Sequence, residues 1–505
     1  MAADPSQPSA APAPQPVHEA PLRLVMISIG LLLLLASLDQ TIVSTALPTI
    51  VADLGGVDHL SWVVTAYVLT STIAAPLYGK LGDLYGRRNM VFISVGLFLL
   101  GSILCGVAGS MFFLIVSRAM QGLGGGGLFV LALSVVGDVV KPQDRGKVQG
   151  VFAAVFSVSS VVGPLAGGWF VEYANWHWIF FINLPIGIIA VVGFAAGFKP
   201  RGVRHKHRID YAGALALSLG LGALTLVTSL GGRSIAWASP EALGLVALSV
   251  ASLAAFVWVE NRAEEPILPL SLFKLNVFWV TSVIGFIAGV AMFGAITFLP
   301  LYLQIAKGVT PTVSGLQLIP MTAGILISST LSGHYMGKSG RYKVLPILGL
   351  SLLALGMFLL SRLTQDTGAV VFSISLALVG LGMGCIFPVV TTSVQNAVPR
   401  ALMGTATAAG IMLRQTGASL GVAAFGAMFA ARMADGAGMV GEHSGFNPQT
   451  LAQLAPEVRE ALAAQVVYAI HPIYLVAMVL ALVGLAFAFV LKEVQLTNRQ
   501  VPRGE

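Results

Sequence analysis

Residues 474–491 read YLVAMVLALVGLAFAFVL and residues 91–104 read VFISVGLFLLGSIL, and neither stretch carries a charge. A helix needs roughly 20 apolar residues to cross a bilayer. The two runs therefore predict membrane spans rather than a soluble core, and the rest of the chain agrees. Of its 505 residues, 56% are hydrophobic and only 10% charged, and mean hydropathy is +0.87. Soluble proteins carry about 25% charged residues. This chain lacks the residues to cover itself with a charged surface, so most of that surface must face something apolar.

Apolar runs broken by charges predict fourteen spans. They lie near 24–47, 61–79, 90–109, 111–136, 148–171, 178–198, 210–230, 240–260, 277–302, 314–335, 345–362, 368–393, 405–430 and 466–491. An even number puts both termini on one side. With the N-terminus inside, inner loops and tails hold 21 Lys and Arg, outer loops hold 5, and Arg118 and Arg414 fall within spans. Cytoplasmic loops are the basic ones, so both termini are expected in the cytoplasm. The net charge of +7 and pI of about 9.5 come from those short loops. The densest basic run, Lys199, Arg201, Arg204, Lys206 and Arg208, lies in one of them. Nucleic acid is not an expected partner. The two cysteines, Cys105 and Cys385, sit in apolar runs and make neither a disulfide framework nor a metal site.

Residues 1–22, rich in Ala, Pro and Gln, have no basic stretch ahead of a short apolar core; they read as a disordered cytoplasmic tail, not a cleavable signal. A weak internal repeat follows. Gly79-Lys-Leu-Gly-Asp-Leu-Tyr-Gly-Arg-Arg88 ends the second span, and Gly333-His-Tyr-Met-Gly-Lys-Ser-Gly-Arg-Tyr-Lys343 ends the tenth. Two related halves are typical of secondary transporters, which bind at the midplane between them. The expected organisation is a six-helix half over 23–200, two inserted helices over 201–275, a second six-helix half over 276–492 and a cytoplasmic tail over 493–505. The second half includes an outer loop, 431–465. There Leu451, Leu454, Val458 and Leu462 recur at helical spacing, with Pro456 suited to a first turn. That stretch reads as an amphipathic helix on the outer surface or as a plain loop.

Charge inside a bilayer costs roughly 2.5–3.5 kcal/mol per residue on insertion scales, so each deep charge is a functional candidate. Among the acids only Asp39 sits deep in a span; the deep bases are Arg118 and Arg414. Counted at about 1.5 Å per residue, Asp39 and Arg118 both lie roughly 10–12 Å below the outer surface. Equal depth permits an ion pair. A carboxylate there, opposed by an arginine, can take up a proton from one side and release it to the other. That is the minimum chemistry for proton coupling; a static tie between spans one and four is the other reading. No Walker loop, HExxH or nucleophile–base set is present, so no enzyme activity is expected.

Several stretches, in order, resemble the major facilitator superfamily. Gly79–Arg88 resembles its loop signature between spans two and three. Leu38–Pro48, Arg118–Gly124 and Gly163–Gly168 resemble motifs of its drug:proton antiporters. Trp178–Gly187, Pro300–Gln304 and Leu413–Gly417 resemble the fourteen-span branch of those antiporters. The resemblance implies an all-α polytopic fold, alternating access and proton influx driving multidrug efflux, with protons as the coupling ion and no cofactor. By it, Asp39 is the coupling acid and Arg118 assists proton transfer. Gly79, Asp83, Gly86, Arg87 and Arg88 belong to an inner gate. Gly163, Pro164, Gly167 and Gly168 belong to an element associated with antiport.

The sequence departs from the pattern at Ser44, Ser159 and His177, and its second half has no deep acid. Monovalent lipophilic cations, neutral amphiphiles or weak acids therefore fit better than dications. Gln317, Phe293, Phe298, Met321 and Phe387 fall in second-half spans that line the pore in this fold, and aromatic and Met side chains suit a permissive pocket; ordinary packing is their other reading. Arg414 either meets an anionic group or anchors its helix. The expectation is an exporter of small amphiphilic drugs or toxic compounds in a bacterial-type plasma (inner) membrane, in contact with lipid, monomeric, with a periplasmic adaptor left open. The alternatives are a dedicated exporter of one metabolite or lipid, and a non-transporting sensor or assembly subunit.

Overall fold

The computed structural model describes residues 19–55, 59–198, 210–232, 234–435 and 456–496. Among these residues the chain is helical throughout, and its one strand-like feature is an isolated bridge between Gly231 and Ile235. In chain order come α1 (Glu19–Leu54), α2 (Leu60–Tyr85), α3 (Arg87–Gly106), α4 (Met111–Val139), α5 (Pro142–Tyr173), α6 (Trp178–Phe181) and α7 (Asn183–Gly197). Next are α8 (Tyr211–Leu230), α9 (Pro240–Glu260), α10 (Asn276–Ile296), the single turn α11 (Leu299–Leu301), α12 (Pro311–Leu316) and α13 (Ile319–Ser339). Last come α14 (Val344–Leu360), α15 (Ala369–Ala397), α16 (Met403–Asp435) and α17 (Pro456–Val490).

Twelve of the described helices are long and apolar enough to cross a membrane. Two more stand among them. The 17 residues of α14 are apolar but short, and α16 is 33 residues long and rich in Gly and Ala. Large apolar side chains such as Phe112, Ile189, Leu215 and Val250 are exposed. An aqueous protein rarely exposes so many; here they face the bilayer. The chain is a multi-pass membrane protein.

Three expected spans are interrupted, each beside a proline with no N–H to give the preceding turn. Pro185 follows the break between α6 and α7, Pro300 sits in α11 beyond α10, and Pro320 follows the break between α12 and α13. A π turn over Tyr302–Ala306 closes the second of these.

Two expectations are corrected. Helix α1 already begins at Glu19, within the stretch read as a tail; residues 1–18 lie outside the described set. Among the described residues, the amphipathic pattern before the last span belongs to the last helix and not to a separate surface one. Val458 and Leu462 belong to α17, which runs unbroken from Pro456 to Val490. Leu462, Val466, Ile470 and Ile473 are all buried along one stripe, so packing continues the helix into the bundle instead of leaving it flat on the surface. Leu451, Leu454, most of the expected loop 431–465 and the basic run from Lys199 to Arg208 also lie outside the described residues.

Helices α1–α7 form one bundle and α10–α17 another, and the same pairings recur in both. In the first, α2 and α3 pack on α4, and α1 packs on α5 and α7; in the second, α13 and α14 pack on α15, and α10 packs on α16 and α17. Each bundle has its own apolar core. Helix α9 packs on α8, and α8 packs on α2 and α16, so this pair lies along one side of the junction between bundles.

The bundles meet through α5 against α13 and α2 against α16. Both contacts lie at the helix ends that carry the repeated glycine-rich loops. A Cβ on Gly79 would collide with the Ala408 methyl and lie 2.9 Å from Gly404 O. A Cβ on Gly333 would collide with the backbone oxygen of Gly146. The weak repeat thus acquires a physical meaning: a glycine at the start of each motif lets one bundle's helix reach the other's backbone.

Candidate functional site

Asp39 lies inside the first bundle with none of its surface exposed, and Arg118 is 1% exposed. Arg118 Nη1 donates to Asp39 Oδ2 at 2.7 Å. Gln121 Nε2 and Asn183 Nδ2 donate to Asp39 Oδ1 at 2.7 and 2.9 Å. Every partner of the carboxylate is a donor, which matches a group that only accepts. A second tier holds the donors in place. Gln121 Oε1 accepts from Arg118 Nη1 at 2.6 Å. Ser102 Oγ accepts from Asn183 and Gln121, at 2.8 and 3.2 Å, and donates to Phe180 O. Arg118 Nε donates to Val63 O at 3.3 Å, and its guanidinium lies 4.4 Å from the Tyr67 ring centroid. The network therefore joins α1, α2, α3, α4, α6 and α7, and water does not reach it in this arrangement.

The glycine run of α4 makes that assembly sterically feasible. Cβ atoms on Gly122 and Gly126 would collide with α2 at Thr70 and Ser71, and one on Gly124 would collide with Phe98 of α3. Helix α5 approaches α1 in the same way, since Cβ atoms on Gly163 and Gly167 would strike Thr41 and Thr45. Thr41, two residues past Asp39, donates to Ser159 O at 3.1 Å. Pro164 lies within α5, and Gly168 faces open space.

The expected gate residues divide into two groups. Asp83 reaches across to the other bundle, accepting from Gly404 N at 3.0 Å, Thr405 N at 2.7 Å and Thr405 Oγ1 at 3.0 Å. These are free donors at the start of α16, where a carboxylate is favoured. Arg87 Nη2 steadies Asp83 at 2.8 Å, and Arg87 Nε pairs with Asp138. Arg88 instead stays within its own bundle, donating to Ala195 O at 3.2 Å and lying over Phe92. Gly86, with φ 89° and ψ 134°, turns the chain between α2 and α3. A Cβ is strained in that region, so Gly86→Ala should cost about 1–3 kcal/mol. Chemical unfolding in detergent checks this, and an unchanged midpoint would refute it.

In the second bundle Arg414 is half-buried, with its guanidinium 4.8 Å from the Phe387 ring centroid. Phe293 is exposed to 37% of its surface, whereas Phe298 is buried against Phe429 in the core. Met321 and Phe387 pack partly buried against that core. Gln317 caps the short helix α12, and the structure does not bring it together with Arg414. Among the described residues no cluster of His, Cys, Asp or Glu could hold a metal ion.

Sequence reasoning paired Asp39 with Arg118 but missed Gln121, Asn183 and Ser102. Gln121 stands one helical turn after Arg118, and Asn183 is a lone amide in an apolar run; both signals were readable. Ser102 carries none.

A family model described as Major Facilitator Superfamily matches residues 29–422. An uncharacterised MFS-type transporter of Mycobacterium tuberculosis is 40% identical over 472 residues, which cover 92% of this chain and 69% of that protein. The multidrug transporter protein MdtP of Bacillus subtilis is 36% identical over 498 residues, covering 92% of each. Multidrug resistance protein 3 of Bacillus subtilis is 35% identical over 408 residues, covering 81% of this chain and 80% of that one. Among solved structures, the proton:xylose symporter XylE superposes with a TM-score of 0.63 at 14% identity, covering 95% of this chain and 98% of the other. That likeness concerns the fold alone.

Proposed function

The chain belongs to the Major Facilitator Superfamily, and from that premise we propose that it is a fourteen-span, proton-coupled antiporter exporting amphiphilic compounds across a bacterial-type plasma membrane. In this reading α14 and α16 cross the bilayer with the other twelve, two six-helix halves flank an inserted pair, and both termini face the cytoplasm. The excess of Lys and Arg in the loops on that side supports the orientation. Relatives named as multidrug transporters support the substrate class.

The observation that carries the reading is the sealed carboxylate of Asp39. A proton arriving there turns an acceptor into a donor and displaces one of Arg118, Gln121 or Asn183. Arg118 then lacks its counter-ion in a dry site, which is costly. The helices it joins must rearrange to satisfy it, so proton uptake and helix movement become one event. In the proposed orientation the seam through Asp83 and Gly333 closes the cytoplasmic side. Substrate would enter from that side or the inner leaflet with Asp39 ionised. Opening outward would admit a proton and release substrate; reopening inward would discharge the proton.

The test uses purified protein in proteoliposomes with an imposed pH gradient. Proton movement is followed on adding monovalent lipophilic cations, neutral amphiphiles and weak acids, beside an Asp39→Asn variant. Substrate-provoked proton flux in the wild type and none in the variant is the expected result. Equal flux in both would remove Asp39 from coupling, and no flux in either would remove antiport.

A further inference from the structure

We infer that the recess beneath Arg414 in the second bundle binds the anionic head of an amphiphile, a carboxylate or phosphate carried on an apolar tail. The inference concerns the class of compound the proposed exporter takes, and its physiological meaning rests on that reading. The recess lies between α10, α15 and α16; in this closed arrangement its free volume is about 20 Å³, room for a water-sized group, so a larger head would be taken up as the bundles part.

Three features point to an anion. The first is charge. Among the described residues, Asp39 and Arg118 neutralise each other in a closed pair, whereas Arg414 forms no ion pair. It stands eleven residues into α16, roughly 16 Å along the helix at about 1.5 Å per residue, near the middle of the bilayer core. Its one recorded partner is the Phe387 ring, which leaves the guanidinium donors unused.

The second is the supply of donors. Ser282 is 5% exposed, lines the recess, and its hydroxyl has no hydrogen-bond partner. Thr407 also lines it, and its hydroxyl accepts from Gln395 at 3.2 Å, leaving its own proton free. Thr391 adds a third hydroxyl. Thr281 does not contribute, because it already donates to Val277 O at 2.6 Å. The lining contains no Asp or Glu to repel an anion.

The third is the wall. Valine and isoleucine side chains complete the recess, and Ile411 also packs against the first bundle's core. The recess therefore adjoins the junction between bundles, and the tail is inferred to lie along that junction. A guanidinium with two or three hydroxyls at one end and aliphatic side chains at the other matches an acidic head and its tail.

The experiment uses the full chain in discs of zwitterionic lipid without a pH gradient. Binding of pyrenebutyrate, pyrenebutanol and pyrenebutyl-trimethylammonium is measured, with empty discs subtracted. Wild type should hold the carboxylate at least about tenfold more tightly than the alcohol, as a charge-assisted hydrogen bond requires, and the ammonium least of all. Arg414→Gln should erase the preference, Arg414→Lys should keep part of it, and a Ser282→Ala/Thr407→Val double variant should weaken it severalfold.

A helix anchor would shift the unfolding midpoint in these variants without moving the order of the three probes. No carboxylate preference in the wild type overturns the inference, as does a preference that survives Arg414→Gln. Should that variant fail to fold, the hydroxyl variant decides, and an undiminished preference there overturns it too. Repeating the titration with phosphatidylglycerol in the discs separates two sources of the same chemistry. Competition assigns the head group to an acidic lipid, and unchanged binding assigns it to a soluble compound. No gradient enters the measurement, so a failure of proton coupling in liposomes leaves this result standing, and the reverse also holds.

Discussion

Replacing Arg118 with leucine is expected to abolish substrate-driven proton movement and to destabilise the protein by about 3–5 kcal/mol, the usual cost of leaving one partner of a buried pair alone. The size follows from the site. Asp39 has no exposed surface, so water cannot replace the missing guanidinium. Gln121 and Asn183 still donate to Oδ1, but Oδ2 loses its only recorded partner. Neutralising both ends in an Asp39→Asn/Arg118→Gln double variant should restore most of the stability and none of the coupling. Chemical unfolding in detergent reads the first quantity and proton flux in proteoliposomes reads the second. A double variant as unstable as the single would mean that the stability loss comes from Arg118's contacts with Val63 and Tyr67, not from an orphaned charge. Restored flux in the double variant would remove both residues from the coupling step.

The second large effect is expected at the seam. Gly333→Val places carbon where the Gly146 backbone stands, and backbone yields less readily than a side chain. Overpacking costs typically 1–3 kcal/mol, and each 1.4 kcal/mol is about a factor of ten in population. The closed seam should become roughly five- to 140-fold rarer, with turnover falling in proportion. A cysteine at Ala408, which is 1% exposed and meets Gly79 across the seam in the closed arrangement, reports the change. It should resist a water-soluble maleimide in the parent and react in the valine variant. Gly333→Ala should give a smaller shift in the same direction. Unaltered labelling together with unaltered transport would mean that the two bundles do not need this contact.

Much of this architecture was legible because a membrane helix announces itself by length and hydropathy. The order and rough placement of the spans, the equal depth of Asp39 and Arg118 and the glycine motifs followed from local counting, although the ends of several helices did not. What did not follow was the identity of neighbours. An apolar helix in lipid has no polar face to mark its inside, so Phe298, buried against Phe429, and Phe293, partly exposed, looked alike in the sequence. The same blindness hid the direction of Arg88, which serves its own bundle although it adjoins Arg87. Ser102 stayed hidden because a small hydroxyl among apolar residues is usually satisfied by its own helix; here it donates to Phe180 O on another. The pattern before the last span misled for a different reason. Amphipathic spacing marks a helix but does not say whether that helix ends before the next apolar run begins.

Asp83 holds the opposite bundle mainly through two backbone N–H groups at the first turn of α16, with the Thr405 hydroxyl as a third contact. Backbone donors are present whatever residue carries them. Gly404 must stay a glycine, because a Cβ there would strike Asp83, Arg87 and the Gly79 backbone; at Thr405 the backbone donor survives a change of side chain, provided the helix begins where it does. One residue inserted between Pro399 and Met403 would turn that beginning by about 100° and carry the donors away from the carboxylate. Outside Gly404 the latch is thus written more in chain length than in composition: a substitution at Thr405 should be tolerated better than an insertion or deletion of a single codon.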